Sequence, residues 1–399
     1  MPDTARKGTW PRVAFGDVVR LSKERCSDPL GTGIERYVGL EHIEPNDLKI
    51  RRWGNVADGT TFTSAFHTGQ VLFGKRRAYQ RKVAVAGFSG VCSGDIYVLE
   101  PANDRLLPEL LPFLCQTEDF FEHAVGTSAG SLSPRTNWKQ LAVYEFALPP
   151  LKEQRRIVEA LQGAHRQSLC LQQLCEATRV LYESTAVQLF SGHTDRGVKP
   201  SEWKPSAWNC AVLEELVVAD APICYGIVQV GDFDPDGVPT LAINNLSGDF
   251  DEGVHKTAPR IEMKYGRSRV SPNDILVSVK ATIGEIAIVP PKFSGNISRD
   301  LARIRIRDAK VGRRFFYHLY RSPNYRRYIQ TLVVGSTRAE LSIAALRSAE
   351  VPFPSTEEQD RISDELNAIE ACIAMAEERQ EMARDLLRAA TSQLLQHQE

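Results

Sequence analysis

Asp236, after Pro235, and Glu262 with Lys264, in the run Glu262-Met263-Lys264, are the residue types of a phosphodiester-cleaving PD…ExK site. Such carboxylates would hold magnesium for hydrolysis. A different chemistry is offered by GKRRAYQRK at 74–82, which sets Lys75, Arg76, Arg77, Arg81 and Lys82 around Tyr79. Lysine and arginine serve phosphates, and arginine also grips a guanine edge with two hydrogen bonds. Loops rich in glycine and hydroxyls add further candidates for close approach to a nucleic-acid backbone. These are GTSAGSLSPR (126–135) with Arg135, GSTR (335–338) with Ser336, Thr337 and Arg338, and VKATIGEIAI (279–288) with Lys280 and Thr282, followed by Arg299. For each basic run the plain alternative is a solvated turn.

Other signals fall away. DFDPDG (232–237) opens like a calcium loop, but its twelfth position is Ile243 where a glutamate is required, so a turn is the better reading. GTGIER (31–36) lacks the third glycine of a dinucleotide loop. No GxxxxGK[ST] is present, the eight histidines show no zinc spacing, and no NPPY-type adenine-methylation motif is found. RRFFYHLYRSPNYRRYIQ (313–330) has aromatics at helical spacing and reads as a core helix with a basic rim, ahead of a base-stacking surface.

The elements that would position these residues are written twice. At an offset of 205 residues, FSG at 88–90 meets FSG at 293–295, Ser93-x-Asp95 meets Ser298-x-Asp300, and Gln154 meets Gln359. GTSAGSLS (126–133) matches GSTRAELS (335–342), with four extra residues expected in the first copy before Pro149. Trp10 and Trp208 both open an apolar-acidic stretch. One match is chance; the ordered set is an internal duplication, too long for a solenoid repeat. Each copy begins with a mixed region where AVAGF, DIYVL, ILVSV, EIAIV and LARIRI read as strands. FFYHLYRS and PFLCQTEDFFEHAV read as helices.

Each copy then ends in a long helix. Ile362, Leu366, Ile369, Ile373, Ala376, Gln380, Ala383, Leu387, Ala390 and Leu394 recur in alternating steps of four and three, a coiled-coil stripe. The matching positions Ile157, Leu161, Ala164, Ser168, Leu171, Cys175, Thr178, Tyr182, Thr185 and Leu189 are smaller but of the same character. Prolines at 149–150 and 354 mark the helix starts, and Gly192 is a candidate C-cap. Forty helical residues rise about 60 Å, so such a stripe needs a partner along its length. Antiparallel pairing within the chain is expected, with parallel helices of a homodimer as the alternative.

Composition sets the outer bounds. A chain of 399 residues exceeds one ordinary core, and 42% apolar with 25% charged residues is globular. No run approaches the roughly 20 apolar residues of a membrane span, and MPDTARKGTW shows no signal peptide. Eight scattered cysteines without a CxxC fit a reduced, cytoplasmic protein. The net charge of −1 hides a surplus of six positive charges before residue 355 and a deficit of seven after it. A local basic face is what decides phosphate binding.

Two variable α/β regions, each closed by G[ST]xxxxLS, a proline-bearing strand end and an EQxxI helix start, resemble the DNA-specificity subunit of type I restriction–modification enzymes. GSTRAELS…VPFPSTEEQDRI, LPPLKEQRRIVEAL and VQLFSG are in family form; Ser355-Thr356 departs from Pro150-Leu151 of the first copy. The resemblance covers nearly the whole chain. It implies an α/β (α+β) fold with two target-recognition domains separated by two long antiparallel helices, related by a pseudo-two-fold axis. The expected boundaries are 1–147 and 205–350 for the domains, 148–192 and 351–399 for the spacer helices, and 193–204 for a linker. It implies a non-catalytic subunit that reads a bipartite, asymmetric target in double-stranded DNA, the gap set by the coiled coil. Two adenine methyltransferase subunits and restriction/translocase subunits would be its partners in phage defence, with S-adenosylmethionine, ATP and magnesium on those partners and no cofactor here. The alternatives are a magnesium-dependent nuclease using Asp236, Glu262 and Lys264, a specificity subunit of another defence or methylation system, and a purely structural adaptor.

Overall fold

Strand residues alternate their side chains between two faces, so a sheet with both faces covered needs apolar residues at consecutive positions. Val71-Leu72-Phe73 is such a run. Val71 and Phe73 enter a core with Leu111, Phe113, Phe120 and Phe121, while Leu72 enters a second core with Val38, Phe66 and Cys92. The computed structural model describes residues 10–190, 198–246, 250, 253–307, 309–335 and 339–395, with side chains to residue 392. The chain divides into two units, with breaks between Gln172 and Gln173 and between Ala376 and Glu377.

The first unit holds an antiparallel sheet in the order Val19–Leu21, Ile96–Pro101, Val71–Gly74, Val83–Val85. Helices Leu111–Leu114 and Glu118–Gly126 contribute to the core on one face. Against the other lies a second sheet, Gly54–Asn55, Arg36–Val38, Gly90–Cys92, Ser64–Phe66, with one parallel pair inside it. The second unit repeats this plan. Its antiparallel sheet runs Cys224–Tyr225, Leu301–Ile304, Ile275–Ser278, Ile286–Ile288, and its second sheet runs His255–Thr257, Phe233–Leu241, Asn296–Ile297. A two-stranded ribbon closes each unit: Arg12–Ala14 with Glu145–Ala147, and Asn209–Val212 with Glu350–Phe353.

The aromatic run 313–330 forms two helices, Arg313–Arg321 and Pro323–Thr331, where the sequence suggested one. Ser322 ends the first and caps the second by accepting from the Tyr325 amide, and Pro323 suits the first helical turn. Thr117 caps Glu118–Gly126 in the same way, accepting from the Phe120 amide. Phe315, Phe316, Tyr320 and Tyr325 are buried, so this is core.

One expectation needs correction. The helices Glu118–Gly126 and Pro323–Thr331 already stand 205 residues apart, so the first copy has no four extra residues before Pro149. The counterpart of GSTRAELS is GSLSPRTN (130–137). Gly130 and Gly335 both have left-handed backbones, with φ of 111° and 88°. Asn137 and Ser342 both cap the helix that follows, accepting from the amides of Lys139 and Ala345. Asparagine and serine cap about equally well, so the shared role hid behind different letters while Leu132-Ser133 mimicked Leu341-Ser342.

The long helices span Leu151–Leu189 and Thr356–Leu395. In the first unit Ile157, Val158 and Leu161, from the start of the first helix, share a core with Leu387 and Ala390 from the end of the second. In the second unit Tyr182 and Ala186, late in the first helix, share a core with Ile362, Leu366, Ile369 and Ile373, early in the second. The helices therefore run antiparallel. Leu171 is half-buried, the side chain of Leu394 lies outside the described residues, and so does Gly192.

One buried glutamine fastens each helix start. The Gln154 amide nitrogen donates to the carbonyls of Arg105 (2.7 Å) and Pro149 (2.8 Å), and its oxygen accepts from the Leu107 amide (2.8 Å). Gln359 does the same with Lys310 (2.9 Å), Pro354 (3.0 Å) and Gly312 (2.8 Å). Every partner is again displaced by 205 residues. This is the physical content of the EQxxI motif: a side chain satisfies three backbone groups that the helix joint would leave unpaired.

Candidate nucleic-acid interface

The basic run 74–82 is the connection between strands Val71–Gly74 and Val83–Val85, and it is tied to the loop that carries Arg135. Backbone at Arg77 and Arg81 is left-handed, with φ of 54° at each. That conformation costs a non-glycine residue on the order of 1–2 kcal/mol, so the surroundings must enforce it. They do so at Arg77, whose amide donates to the Pro134 carbonyl at 2.7 Å. The side-chain Nε atoms of Arg76 and Arg77 both donate to Ser133 Oγ, at 3.0 and 3.2 Å.

Asp95 organises the cluster. Its carboxylate accepts from Arg135 Nε at 2.8 Å and from Arg76 Nη1 at 3.3 Å. Burial raises the Asp95 pKa, but the hydrogen bonds and charges of Arg135 and Arg76 outweigh it and hold the carboxyl below its ordinary range. The repeated Ser93-x-Asp95 therefore has a role that its letters alone did not disclose. The remaining cations are placed one by one. Lys75 lies 4.7 Å from the Tyr97 ring centre, Arg81 pairs with Glu118 and sits 5.1 Å from the Phe121 ring, and Lys82 Nζ donates to the Leu40 carbonyl at 2.7 Å. Tyr79 is exposed. Six cations share two carboxylates, leaving a cationic surface with hydroxyls at its rim.

The second unit arranges its candidates differently. Lys280 Nζ meets Glu340 at 3.2 Å, and Arg299 Nε lies 3.8 Å from Asp300. Thr282 is exposed, in a connection with left-handed backbone at Ala281 and Gly284. Ser336, Thr337 and Arg338 lie outside the described residues. Lys280 and Glu340 form the backbone bridge that Arg76 and Arg135 form in the first unit, so each unit joins the same two loops.

The nuclease alternative loses its second carboxylate. Glu262 is 1% exposed and accepts two hydrogen bonds from Arg269 at 2.6 Å, plus one from Asn296 Nδ2 at 3.0 Å. Arg269 holds its pKa low against the opposing effect of burial. Asp236 sits on the strand Phe233–Leu241, at an irregularity in its pairing, and among the described residues no group of three or more His, Cys, Asp or Glu is placed to hold a metal. None of the described helices is long and apolar enough to cross a membrane.

Paired basic loops on the two halves of a duplicated α/β protein with a helix pair fit the binding of a polyanion such as DNA. The type I restriction modification DNA specificity domain matches residues 38–173 and 232–383, and the chain belongs to that family. It is 28% identical over 331 residues to the type I restriction enzyme EcoBI specificity subunit of Escherichia coli, covering 75% of this chain and 69% of that one. It is 24% identical over 389 residues to the putative type I restriction enzyme MjaX specificity subunit of Methanocaldococcus jannaschii, covering 92% and 87%. Among solved structures, the S subunit of a type I restriction-modification system from M. genitalium shares the fold with a TM-score of 0.60 at 13% identity, over 100% of this chain and 99% of that one. A chain from a type I R-M system assembly shares it with a TM-score of 0.58 at 22% identity, over 97% and 98%.

Proposed function

We propose that this specificity subunit reads a bipartite, asymmetric DNA target, one half-site per unit, with the gap between them set by the length of the long helices. The observation that carries this is the duplication itself: the glutamine joint is the same twice while the loops differ. Two diverged readers on one chain need not read the same sequence, whereas identical subunits of a dimer must. The unit with the cationic 74–82 loop holds its half-site through Arg76, Arg77 and Arg135, and the other through Lys280, Thr282 and Arg299. The subunit is non-catalytic and docks two adenine methyltransferase subunits and the restriction/translocase subunits. S-adenosylmethionine, ATP and magnesium belong to those partners.

The test is methylome sequencing of cells expressing the chain with its methyltransferase subunits. Two short blocks around an unread gap are expected. Inserting a few residues into both long helices, at matched positions, should lengthen the gap and keep both blocks. A motif without a gap, or a gap that ignores the insertion, overturns the reading. Magnesium-dependent cutting by the purified chain that stops with Asp236→Ala would favour the nuclease instead.

A further inference from the structure

Leu132 is 91% exposed, more than any other large apolar side chain among the described residues. It sits at the tip of a loop that is held on every side. The Ala129 and Arg135 backbones exchange hydrogen bonds at 3.0 and 2.9 Å, the Thr136 amide donates to the Lys75 carbonyl at 2.9 Å, and the Arg77 amide holds Pro134. Ser133, next to the tip, accepts from two arginines. Gly130 supplies the left-handed turn that aims the loop, with φ of 111°.

The tether holds this apolar side chain out in water, where burial against a partner would be favourable. The partner's chemistry follows from the neighbours: Arg76 and Arg77 bind Ser133, Arg135 closes the loop, and Asp95 answers Arg76 and Arg135. A protein-docking surface is a contiguous apolar patch of a few hundred Å². Here one exposed apolar side chain stands next to a serine that binds two guanidinium groups, on a loop that carries a third arginine. A polyanion with small apolar spots fits that pattern, and the thymine 5-methyl in the DNA major groove is such a spot.

We propose that Leu132 is a base-reading residue, packing on a thymine methyl in the half-site of the first unit while Arg76, Arg77 and Arg135 hold the flanking phosphates. This rests on the DNA-reading function above and adds a specificity-determining side chain to it. The residue 205 positions later is Thr337, outside the described residues, so the two units carry different letters at this place.

The experiment uses the complex of the full chain with its methyltransferase subunits. Duplexes carrying the methylome-defined motif have each thymine of the first half-site replaced in turn by uracil, which lacks the methyl. One replacement should weaken binding about fourfold, the worth of one buried methyl-sized group. Leu132→Ala should bind that thymine and uracil duplex alike, and its methylome should loosen at that position only. Leu132→Asp should lose methylation while still assembling with the methyltransferase. A wild-type complex indifferent to every uracil, or a Leu132→Ala motif unchanged from wild type, overturns the assignment and leaves the function standing. Failure of Leu132→Asp to assemble before DNA is added would give the tip to a protein partner instead. If the wild-type chain specifies no two-block motif, the function falls and this assignment with it.

Discussion

The two units are alike at Gln154 and Gln359 and unlike two to three helical turns further on. In the second unit Arg321 donates to the Tyr317 hydroxyl at 2.7 Å and to the Glu370 carboxylate, and its guanidinium lies 4.8 Å from the Tyr182 ring centre. His318 joins the Tyr182 hydroxyl (2.8 Å) to Asn367 (2.9 Å). The matching positions of the first unit are Gln116 for Arg321, His165 for Glu370, Phe113 for His318, Gln162 for Asn367 and Leu387 for Tyr182. No ion pair forms there. The Gln116 amide nitrogen is buried without a partner, and a cleft of about 410 Å³ opens beside it, lined by His165, Leu387, Arg384 and Arg388 among others. The contact that satisfies backbone groups is common to both units, and the one made between side chains is confined to the second. A backbone group has no substitute chemistry, whereas a side-chain network can be exchanged for apolar packing or for a gap.

The largest effect should come from the shared joint. Gln359→Leu strands the Gly312 amide and the carbonyls of Lys310 and Pro354, and a cost of about 3 kcal/mol is expected from three unpaired buried groups partly rescued by water. Gln154→Leu should cost the first unit a similar amount. Urea unfolding of the full chain, with hydrogen exchange to assign the unit affected, measures both. A loss under about 1 kcal/mol at either position would break the claim that the joint is the common fastening.

What was legible in the sequence divides along the same line. The helix stripe, the duplication and the strand runs are periodic, and periodicity survives substitution because burial asks only for apolar residues of suitable size. Ile362 and Leu366 are fully buried as their spacing implied. The network of Arg321 and Glu370 has no period, since it joins residues from separate helices, and nothing local marks them as partners. The same holds for Asp95, which gathers two arginines from loops 19 and 40 residues away. The register slip around Leu132-Ser133 arose because a cap position tolerates several letters, and only backbone geometry tells which serine occupies it.

The intermediate effect comes from making the second unit resemble the first. Glu370→His leaves Arg321 beside two rings with no carboxylate. Both side chains are roughly a third exposed, 27% and 32%, so solvent screens the loss to about 1–2 kcal/mol. Adding Arg321→Gln should recover part of it by removing the unpaired charge. Double-mutant denaturation gives the coupling, and a zero coupling would mean that the network contributes packing alone.

The smallest effect is set by pH. Burial keeps the His318 pKa below the usual imidazole value, although Asn367 and Glu370 act to raise it and Arg321 and Arg314 to lower it. In the hydrogen-bond pattern its Nε2–H donates to Asn367 Oδ1 and Nδ1 accepts from the Tyr182 hydroxyl, a neutral ring that protonation would disrupt. As pH falls through about 6.5, the unfolded chain takes up this proton before the folded one does. Stability of the second unit is therefore full above that pH and declines below it, with a slope no steeper than about 1.4 kcal/mol per pH unit for one group. His165 in the first unit is lowered by burial as well, but it has no counterpart of the Tyr182 and Asn367 partnership. Melting curves of His318→Gln should thus lose part of the acid slope of the second unit and leave that of the first in place. An acid slope identical to wild type would show that His318 is as proton-averse in the unfolded chain as in the folded one, and would remove pH from the list of differences between the two joints.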